Sequence, residues 1–275
     1  ATTEAADRST LRLDNHDFLT ALVEAADRPV VLVALAPGAV VLPQADAAAA
    51  ALVCFLCGEA TGLAIADVLL GRKEPGGRLP VTIPRSEAAT VQPCEDDACP
   101  YTEGVRGGYR GIDRADVHYP FGHGLGYTTF GWGAARLGDV PSVPALVAGE
   151  TVAATVVVTN TGYRPGSEVV QCYVAHLDPV VARPPQELRG FAKVHLEPGE
   201  SAEVVIELDH RAFAYWDPAD PGYADRNHRV PVAAGGGHLG HRVEPGWYAD
   251  PGDYEVRLGA SSADIRAALA LTLEG

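Results

Sequence analysis

The hydrophobic and polar positions of the chain follow two different patterns, and the change comes near residue 150. Before it, unbroken apolar runs alternate with segments whose apolar residues have helical spacing. After it, apolar and polar residues alternate singly between turns rich in glycine and proline. The first pattern is typical of an α/β layer, and the second of antiparallel strands with one buried face. We therefore expect an α/β region followed by an all-β region.

The α/β region is expected to contain a mainly parallel sheet sandwiched between helices. Helical spacing predicts one helix over 14–26, which begins at a capping aspartate, and another over 61–70, which ends at Gly71. Strands are predicted for three segments: 29–36, 51–57 and 78–83. The first two are apolar throughout, which is typical of strands covered on both faces. Because two or three strands make a poor sheet, we expect this layer to be incomplete, with its first strands before Ala1.

The all-β region is expected to form an antiparallel β-sandwich. Apolar and polar residues alternate in five segments: 151–160, 167–176, 190–196, 202–208 and 253–260. Turn sequences such as Asn160-Thr161-Gly162 follow or separate them, as expected for strands joined by short loops. A polar, glycine-rich stretch over about 217–251 interrupts the pattern, and we interpret it as a surface loop.

A run of twelve residues, YPFGHGLGYTTF from Tyr119 to Phe130, lies between the two regions. It holds three glycines and four aromatic residues. Glycine lets the backbone turn or come close to another surface, while aromatic side chains bury large areas, so the run predicts a structured junction. We divide the chain accordingly into an α/β part (1–118), a junction (119–145) and a β-sandwich (146–275).

Composition and charge narrow the possible partners. The 275 residues are 47% hydrophobic and 21% charged, a composition typical of a pair of folded domains. The net charge of −15 argues against a nucleic-acid partner. No apolar run approaches the roughly 20 residues of a membrane helix, so we expect no membrane anchor and no signal peptide. The chain has no methionine, so we expect a processed product or a piece of a longer protein. Compartment and oligomeric state stay open, and a homo-oligomer is compatible with the sequence.

Cysteine and histidine are the candidate metal ligands. Five cysteines leave at least one unpaired, and Cys54, Cys57, Cys94 and Cys99 have spacings that a zinc site could use. We favour a simpler interpretation, because Cys54 lies in an apolar run where a thiol acts as a small hydrophobe. A Cys94–Cys99 disulfide would require an oxidising compartment. Three histidines of the polar stretch are interpreted as solvated side chains: His228, His238 and His241.

Several motifs occur in the order of one known family. The junction is similar to the (F/Y)PFG(H/Y)GLSYTTF segment of family 3 glycoside hydrolases, with Gly126 in place of serine. The segment 57–71 resembles that family's PGQEGGxAxADVLxG, with Cys57 in place of proline, and 75–80 matches its PxGRLPxT turn. The resemblance implies an α/β sandwich domain followed by a fibronectin type III-like domain, which together form the C-terminal half of such an enzyme.

The same resemblance implies an activity and one catalytic residue. The segment from Glu4 to Leu11 resembles the family's E-G-x-D-R-x-x-L signature, with Ala5 in place of glycine, so Glu4 is the candidate general acid/base. Asp7 and Arg8 would hold the loop. The implied reaction is retaining hydrolysis of a terminal β-linked sugar, most often a β-glucoside, with no metal or organic cofactor. The nucleophilic aspartate would lie on an upstream (β/α)8 barrel, so this chain alone is expected to be inactive.

Four further residues are candidate site residues. Glu59 suits the N-terminal end of a helix, Glu103 and Arg110 either contact sugar hydroxyls or fix the junction, and a buried His123 would satisfy a hydrogen bond. We favour the structural role for each of them. The GID after Arg110 lacks the aromatic pair usual in the family. The alternative function is a non-catalytic module that binds sugar or mediates assembly, and the sequence does not choose among glucose, xylose and N-acetylglucosamine.

Overall fold

The computed structural model describes residues 10–91, 103–219 and 244–275. They form a small α/β lobe, an aromatic junction and a large antiparallel β-sandwich. None of the helices in these ranges is both long enough and apolar enough to cross a membrane.

The α/β lobe is built on one pair of parallel strands. Strand β1 (Val31–Leu35) pairs with β2 (Ala50–Cys54), so that Val31 lies opposite Ala50 and Leu35 opposite Cys54. Helix α1 (His16–Ala25) precedes the pair, and helix α2 (Thr61–Leu69) follows it. Both helices and both strands therefore form within a few residues of the predicted limits, and Gly71 ends the second helix region with a φ of 69°.

Two features of the described lobe differ from the pattern expected of a complete layer. The first strand is not covered on both faces: Leu32 and Ala34 are buried, whereas Val31 and Leu35 are 47% and 58% exposed. The segment 78–83 is a strand only at its end, where β3 (Ile83–Pro84) pairs antiparallel with β4 (Val117–Tyr119). The rest of that segment bonds to the junction instead, because the Leu79 amide donates to the His123 carbonyl and the Gly122 amide donates to the Leu79 carbonyl, each at 2.8 Å.

The β-sandwich packs a four-stranded sheet against a three-stranded sheet. The strands are β5 (Phe130–Leu137), β6 (Val152–Asn160), β7 (Gly166–His176), β8 (Glu187–Leu196), β9 (Ser201–Leu208), β12 (Gly252–Gly259) and β13 (Ile265–Leu273). Their order is β13-β12-β7-β8 in the larger sheet and β5-β6-β9 in the smaller, and all neighbours are antiparallel. Helices α3 (Val143–Val147) and α4 (His210–Phe213) lie between strands. Valines and leucines of both sheets form the core together with Phe213 and Tyr254.

The five predicted strands of the sandwich are confirmed, and β5 and β13 come in addition. The polar stretch over 217–251 is described only at its ends. There, β10 (Tyr215–Asp217) and β11 (Gly246–Tyr248) form a two-stranded ribbon with Trp216 opposite Trp247. The ends of the stretch are thus paired strands rather than loop.

The seam between lobe and sandwich is held by charged and amide side chains. Both carboxylate oxygens of Glu74 accept from the Ser167 amide, at 2.8 and 2.9 Å. Arg78 forms a buried ion pair with Glu168, with Nη2 2.8 Å from Oε1. The Gln171 side-chain amide donates to the Gly122 carbonyl at 3.0 Å. These contacts join the junction and the turn before β3 to strand β7.

Candidate functional site

Glu4, with Asp7 and Arg8, lies outside the described residues. The described chain begins at Thr10, and residues 10–12 all donate to one carboxylate oxygen. Oε1 of Glu87 accepts from the Thr10 hydroxyl, the Leu11 amide and, at 3.2 Å, the Arg12 amide. The Val41 amide also donates to the Leu11 carbonyl at 2.9 Å. The chain is therefore fixed to the α/β lobe six residues after Glu4.

These hydrogen bonds stabilise the ionised form of the Glu87 carboxylate. The hydrogen bond from Thr10 is the largest cause that lowers the pKa of Glu87 below its usual value, and the amides of Leu11 and Arg12 act in the same direction. Donors that point at a carboxylate favour its charged form. Glu87 therefore stays ionised at neutral pH and keeps its hold on all three donors. It begins a short 3₁₀ helix, Glu87–Ala89.

An apolar groove of about 650 Å³ opens on the α/β lobe. Alanines and other small residues of β2 and helix α2 form one wall, and His123 and Leu125 of the junction form another. None of the described residues that line it carries a carboxylate. The groove can pack against apolar side chains, and its described lining offers no carboxylate pair of the kind used in most glycoside hydrolysis.

Three stacked rings lie beside this groove. The His118 ring centroid is 4.3 Å from that of Tyr119, which is 5.4 Å from that of His123. His118 Nε2 lies 2.8 Å from Oδ1 of Asp46. Burial, with a smaller contribution from the Arg78 charge, lowers the pKa of His123 below its usual value. The expected hydrogen bond of its ring is absent within the described ranges, so stacking and burial, rather than a polar partner, hold His123.

Glu59 and Asp67 flank or lie in helix α2. Glu59 is exposed, and the helix begins without a side-chain cap. The Thr61 hydroxyl instead donates to the Gly58 carbonyl at 2.5 Å. Asp67 pairs on the surface with Arg72, with Nη1 3.4 Å from Oδ1. The first-turn contacts expected for Glu59 do not form among the residues that the structure describes.

The segment around Arg110 docks on the sandwich. The Tyr109 ring stacks on Phe121 at 4.5 Å between centroids, and its hydroxyl accepts from the Leu188 amide at 2.8 Å. Arg110 lies 3.9 Å from the carboxylate of Glu187, which also binds two other arginines, Arg183 and Arg189. The ion-pair partner of Arg110 among the described residues is therefore Glu187. These contacts agree with the structural role favoured for Arg110.

Only some of the candidate metal ligands lie within the described residues. Cys54, Cys57 and Cys172 are free thiols. Burial in the sandwich core raises the pKa of Cys172 to about 12, so this thiol acts as a hydrophobe. No group of metal-ligating side chains occurs within the residues that the structure describes. Cys94, Cys99 and the three histidines of the polar stretch lie outside them.

Sequence reasoning missed Glu87 and the seam residues Glu74 and Glu168. Their partners lie 75 to 93 positions away in the chain, as with Glu87 and Arg12 or Glu74 and Ser167. No local spacing reports such a contact. The only local sign that these three residues make contacts is that each is a charged residue beside an apolar or turn-forming segment.

Comparisons with known proteins find a family model on each half of the chain and relatives that match nearly all of it. The family model described as the glycosyl hydrolase family 3 C-terminal domain matches residues 1–127, and the fibronectin type III-like domain matches 168–235. A β-glucosidase of Rhizobium radiobacter is 35% identical over 98% of this chain and 31% of its own length. An exo-α-(1→6)-L-arabinopyranosidase of Bifidobacterium longum is 36% identical over 99% of this chain and 33% of its own.

Solved structures agree with these matches. The crystal structure of a family 3 β-glucosidase from Bifidobacterium adolescentis has a TM-score of 0.81 at 35% identity, covering 99% of this chain and 37% of that one. The chain thus spans about a third of the length of the relatives it matches.

Proposed function

This chain belongs to glycoside hydrolase family 3 and matches the C-terminal portion of its members, and on that premise we propose that it supplies the general acid/base of a retaining, exo-acting β-glycosidase. The observation that carries the proposal is the match over nearly the whole chain to β-glucosidases, at 35% identity. The proposed acid/base is Glu4, on the strength of its sequence motif.

The proposed reaction is a double displacement. Glu4 protonates the glycosidic oxygen while an aspartate on an upstream barrel attacks the anomeric carbon, which gives a covalent glycosyl-enzyme and releases the aglycone. The Glu4 carboxylate then removes a proton from water as the water attacks the same carbon. In this proposal Glu87 is a positioning residue, because it accepts from the backbone amides of Leu11 and Arg12, which follow Glu4 in the chain.

We further propose that the upstream part of the protein completes the α/β sheet. Val31 and Leu35 are exposed apolar residues on β1, and the apolar groove lies beside β2. Additional parallel strands and helices would bury both surfaces, giving the layered αβα sandwich expected from the sequence.

The proposed substrate is a terminal β-glucoside. A second candidate is a terminal α-L-arabinopyranoside, because two Bifidobacterium relatives at 36% identity bear the name of exo-α-(1→6)-L-arabinopyranosidases. The rival function is a non-catalytic module that binds sugar or mediates assembly.

Assays of the 275-residue chain and of the longer protein, each on 4-nitrophenyl β-D-glucopyranoside and 4-nitrophenyl α-L-arabinopyranoside, separate these functions. We expect no turnover by the chain alone and faster turnover of the glucoside by the longer protein. A longer protein that hydrolyses neither glycoside would favour the non-catalytic module.

A further inference from the structure

Cys54 and Cys57 form a pair of neighbouring thiols at the carboxyl end of strand β2. Cys54 is the last residue of the strand, and Cys57 lies in the loop that leads to helix α2. Both are free thiols, and Cys54 is half-buried whereas Cys57 is exposed. The C-x-x-C spacing is that of the dithiol–disulfide couples of redox proteins.

The backbone is anchored on both sides of the pair, and the chain bends between them. The Ala36 amide, directly after β1, donates to the Cys54 carbonyl at 3.0 Å. The Thr61 hydroxyl of helix α2 donates at 2.5 Å to the carbonyl of Gly58, the residue after the second cysteine. The bend is at Leu56, whose side chain is 85% exposed. The two cysteines are therefore held on either side of one bend that is open to solvent.

The two side chains interact across this bend. Burial is the largest cause that raises the pKa of Cys54 above its usual value, and the charge of Cys57 and a hydrogen bond with its side chain raise that pKa further. A hydrogen bond between two thiols requires that their sulfur atoms are neighbours. Neighbouring sulfur atoms are the starting geometry for a disulfide.

The described surroundings of the pair favour disulfide chemistry over a metal site. A structural zinc ion has four protein ligands, whereas no group of three or more possible ligands occurs in the part of the chain that the structure describes. The loop after β2 lies beyond the end of the strand and borders the apolar groove, so a small disulfide can reach Cys57 from solvent. Strands added alongside β2 would leave this loop at the end of the sheet.

We propose that Cys54 and Cys57 form a reversible disulfide, in which Cys57 is the attacking thiol and Cys54 the resolving one. The Cys57 thiolate attacks a small disulfide such as oxidised glutathione, breaks its S–S bond and releases one glutathione thiol. The Cys54 thiolate then attacks the Cys57 sulfur of this mixed disulfide and releases the second glutathione. The two cysteines together lose two protons and two electrons, and the oxidised glutathione gains them. Only thiol chemistry is involved, so the proposal is independent of the catalytic role of Glu4.

Oxidation of the 275-residue chain with glutathione, followed by mass spectrometry, tests the proposal. Trypsin releases residues 13–72 as one peptide, because Arg28 precedes a proline, and Cys54 and Cys57 are its only cysteines. Remaining thiols are blocked with N-ethylmaleimide in urea before digestion. After treatment with oxidised glutathione, the peptide should carry no maleimide and be lighter by two hydrogen atoms, and dithiothreitol should reverse both changes.

Cys172 is the internal reference of this experiment. It is buried in the sandwich core, and burial raises its pKa to about 12. A buried thiol of this kind is inert, so its peptide should carry maleimide in every sample.

Two serine variants test the roles of the two thiols. Cys54→Ser removes the resolving thiol, so Cys57 should hold glutathione as a stable mixed disulfide. Cys57→Ser leaves only the half-buried Cys54 of the pair, which should take up glutathione about tenfold more slowly, the effect of one pKa unit on the thiolate fraction.

Three results would overturn the proposal. The first is a peptide of the unsubstituted chain that keeps both thiols in oxidised glutathione or binds glutathione on both. The second is a cross-link from this peptide to another cysteine. The third is uptake of glutathione by Cys57→Ser as fast as by Cys54→Ser. Should a serine variant not fold, the mass of the peptide from the unsubstituted chain decides by itself.

Discussion

Glu87 is the residue whose contacts most directly concern the proposed acid/base. It accepts from three donors on residues 10–12, shortly after Glu4. Replacing Glu87 with alanine should free these donors, and amide hydrogen exchange at Leu11 and Arg12 should become faster in the 275-residue chain. In the longer protein the same change should lower kcat, since Glu4 would be held less firmly.

A matched control for Glu87→Ala is Glu203→Ala, which removes an exposed carboxylate paired with Arg136 on the sandwich. The control should leave exchange at residues 10–12 unchanged. Unchanged exchange in Glu87→Ala would show that the hydrogen bonds to Glu87 do not hold this segment.

His123 makes the stability of the protein depend on pH. Its pKa is lowered in the folded state, chiefly by burial, so the unfolded state binds a proton more readily than the folded state does. The resulting contribution is fully present above the unfolded pKa of about 6.5 and is lost as the pH falls below it. His123→Phe keeps a ring against Tyr119 and cannot be protonated. We expect a smaller loss of unfolding free energy between pH 7 and pH 5 in this variant, measured by urea unfolding. Equal losses in both proteins would contradict the account.

At the scale of elements, the junction requires glycine at one position in particular. Gly122 has a φ of 81°, and a Cβ there would lie 1.9 Å from Oε1 of Gln171. Gly122→Ala should therefore lower the unfolding free energy by more than about 1 kcal/mol, through both backbone strain and the displaced side chain. Gly77→Ala is the control, because a Cβ at Gly77 meets nothing within 4 Å. Similar urea midpoints for the two variants would contradict the close contact with Gln171.

The elements that could be predicted are those whose burial pattern matches their sequence pattern. Strand β9 alternates exposed and buried residues from Glu203 to Leu208, and its apolar and polar residues follow this alternation except at the exposed Val205. Strand β13 escaped prediction because four of its nine residues between Ile265 and Leu273 are leucine or isoleucine and three are alanine, which weakens the alternation. The strand predicted over 78–83 was wrong for a different reason, because the backbone of Leu79 hydrogen-bonds to the junction, more than 40 residues later in the chain. Tertiary pairing of this kind leaves no local trace.

At the scale of the whole molecule, motif order identified the family, but not the contacts that hold the parts together. Lobe and sandwich meet through Glu74, the Arg78–Glu168 pair and Gln171, and each contact joins residues 49 to 93 positions apart. Of the proposed site, the sequence motif supplies Glu4 as a candidate. The contacts of Glu87 with residues 10–12, on which its proposed positioning role rests, needed the fold.

The central claim is that Glu4 is the general acid/base, and Glu4→Gln in the longer protein tests it most directly. General acid–base catalysis is worth typically 10²–10⁴-fold, so turnover of a glucoside with a poor leaving group should fall by about that factor. A highly activated aryl glucoside needs no protonation, and azide needs no general base, so these two together should restore turnover and yield a glycosyl azide. Glu24→Gln, an exposed position on helix α1, is the matched control and should behave as the unsubstituted protein. An unchanged rate in Glu4→Gln, or a lowered rate that azide does not raise, would contradict the claim.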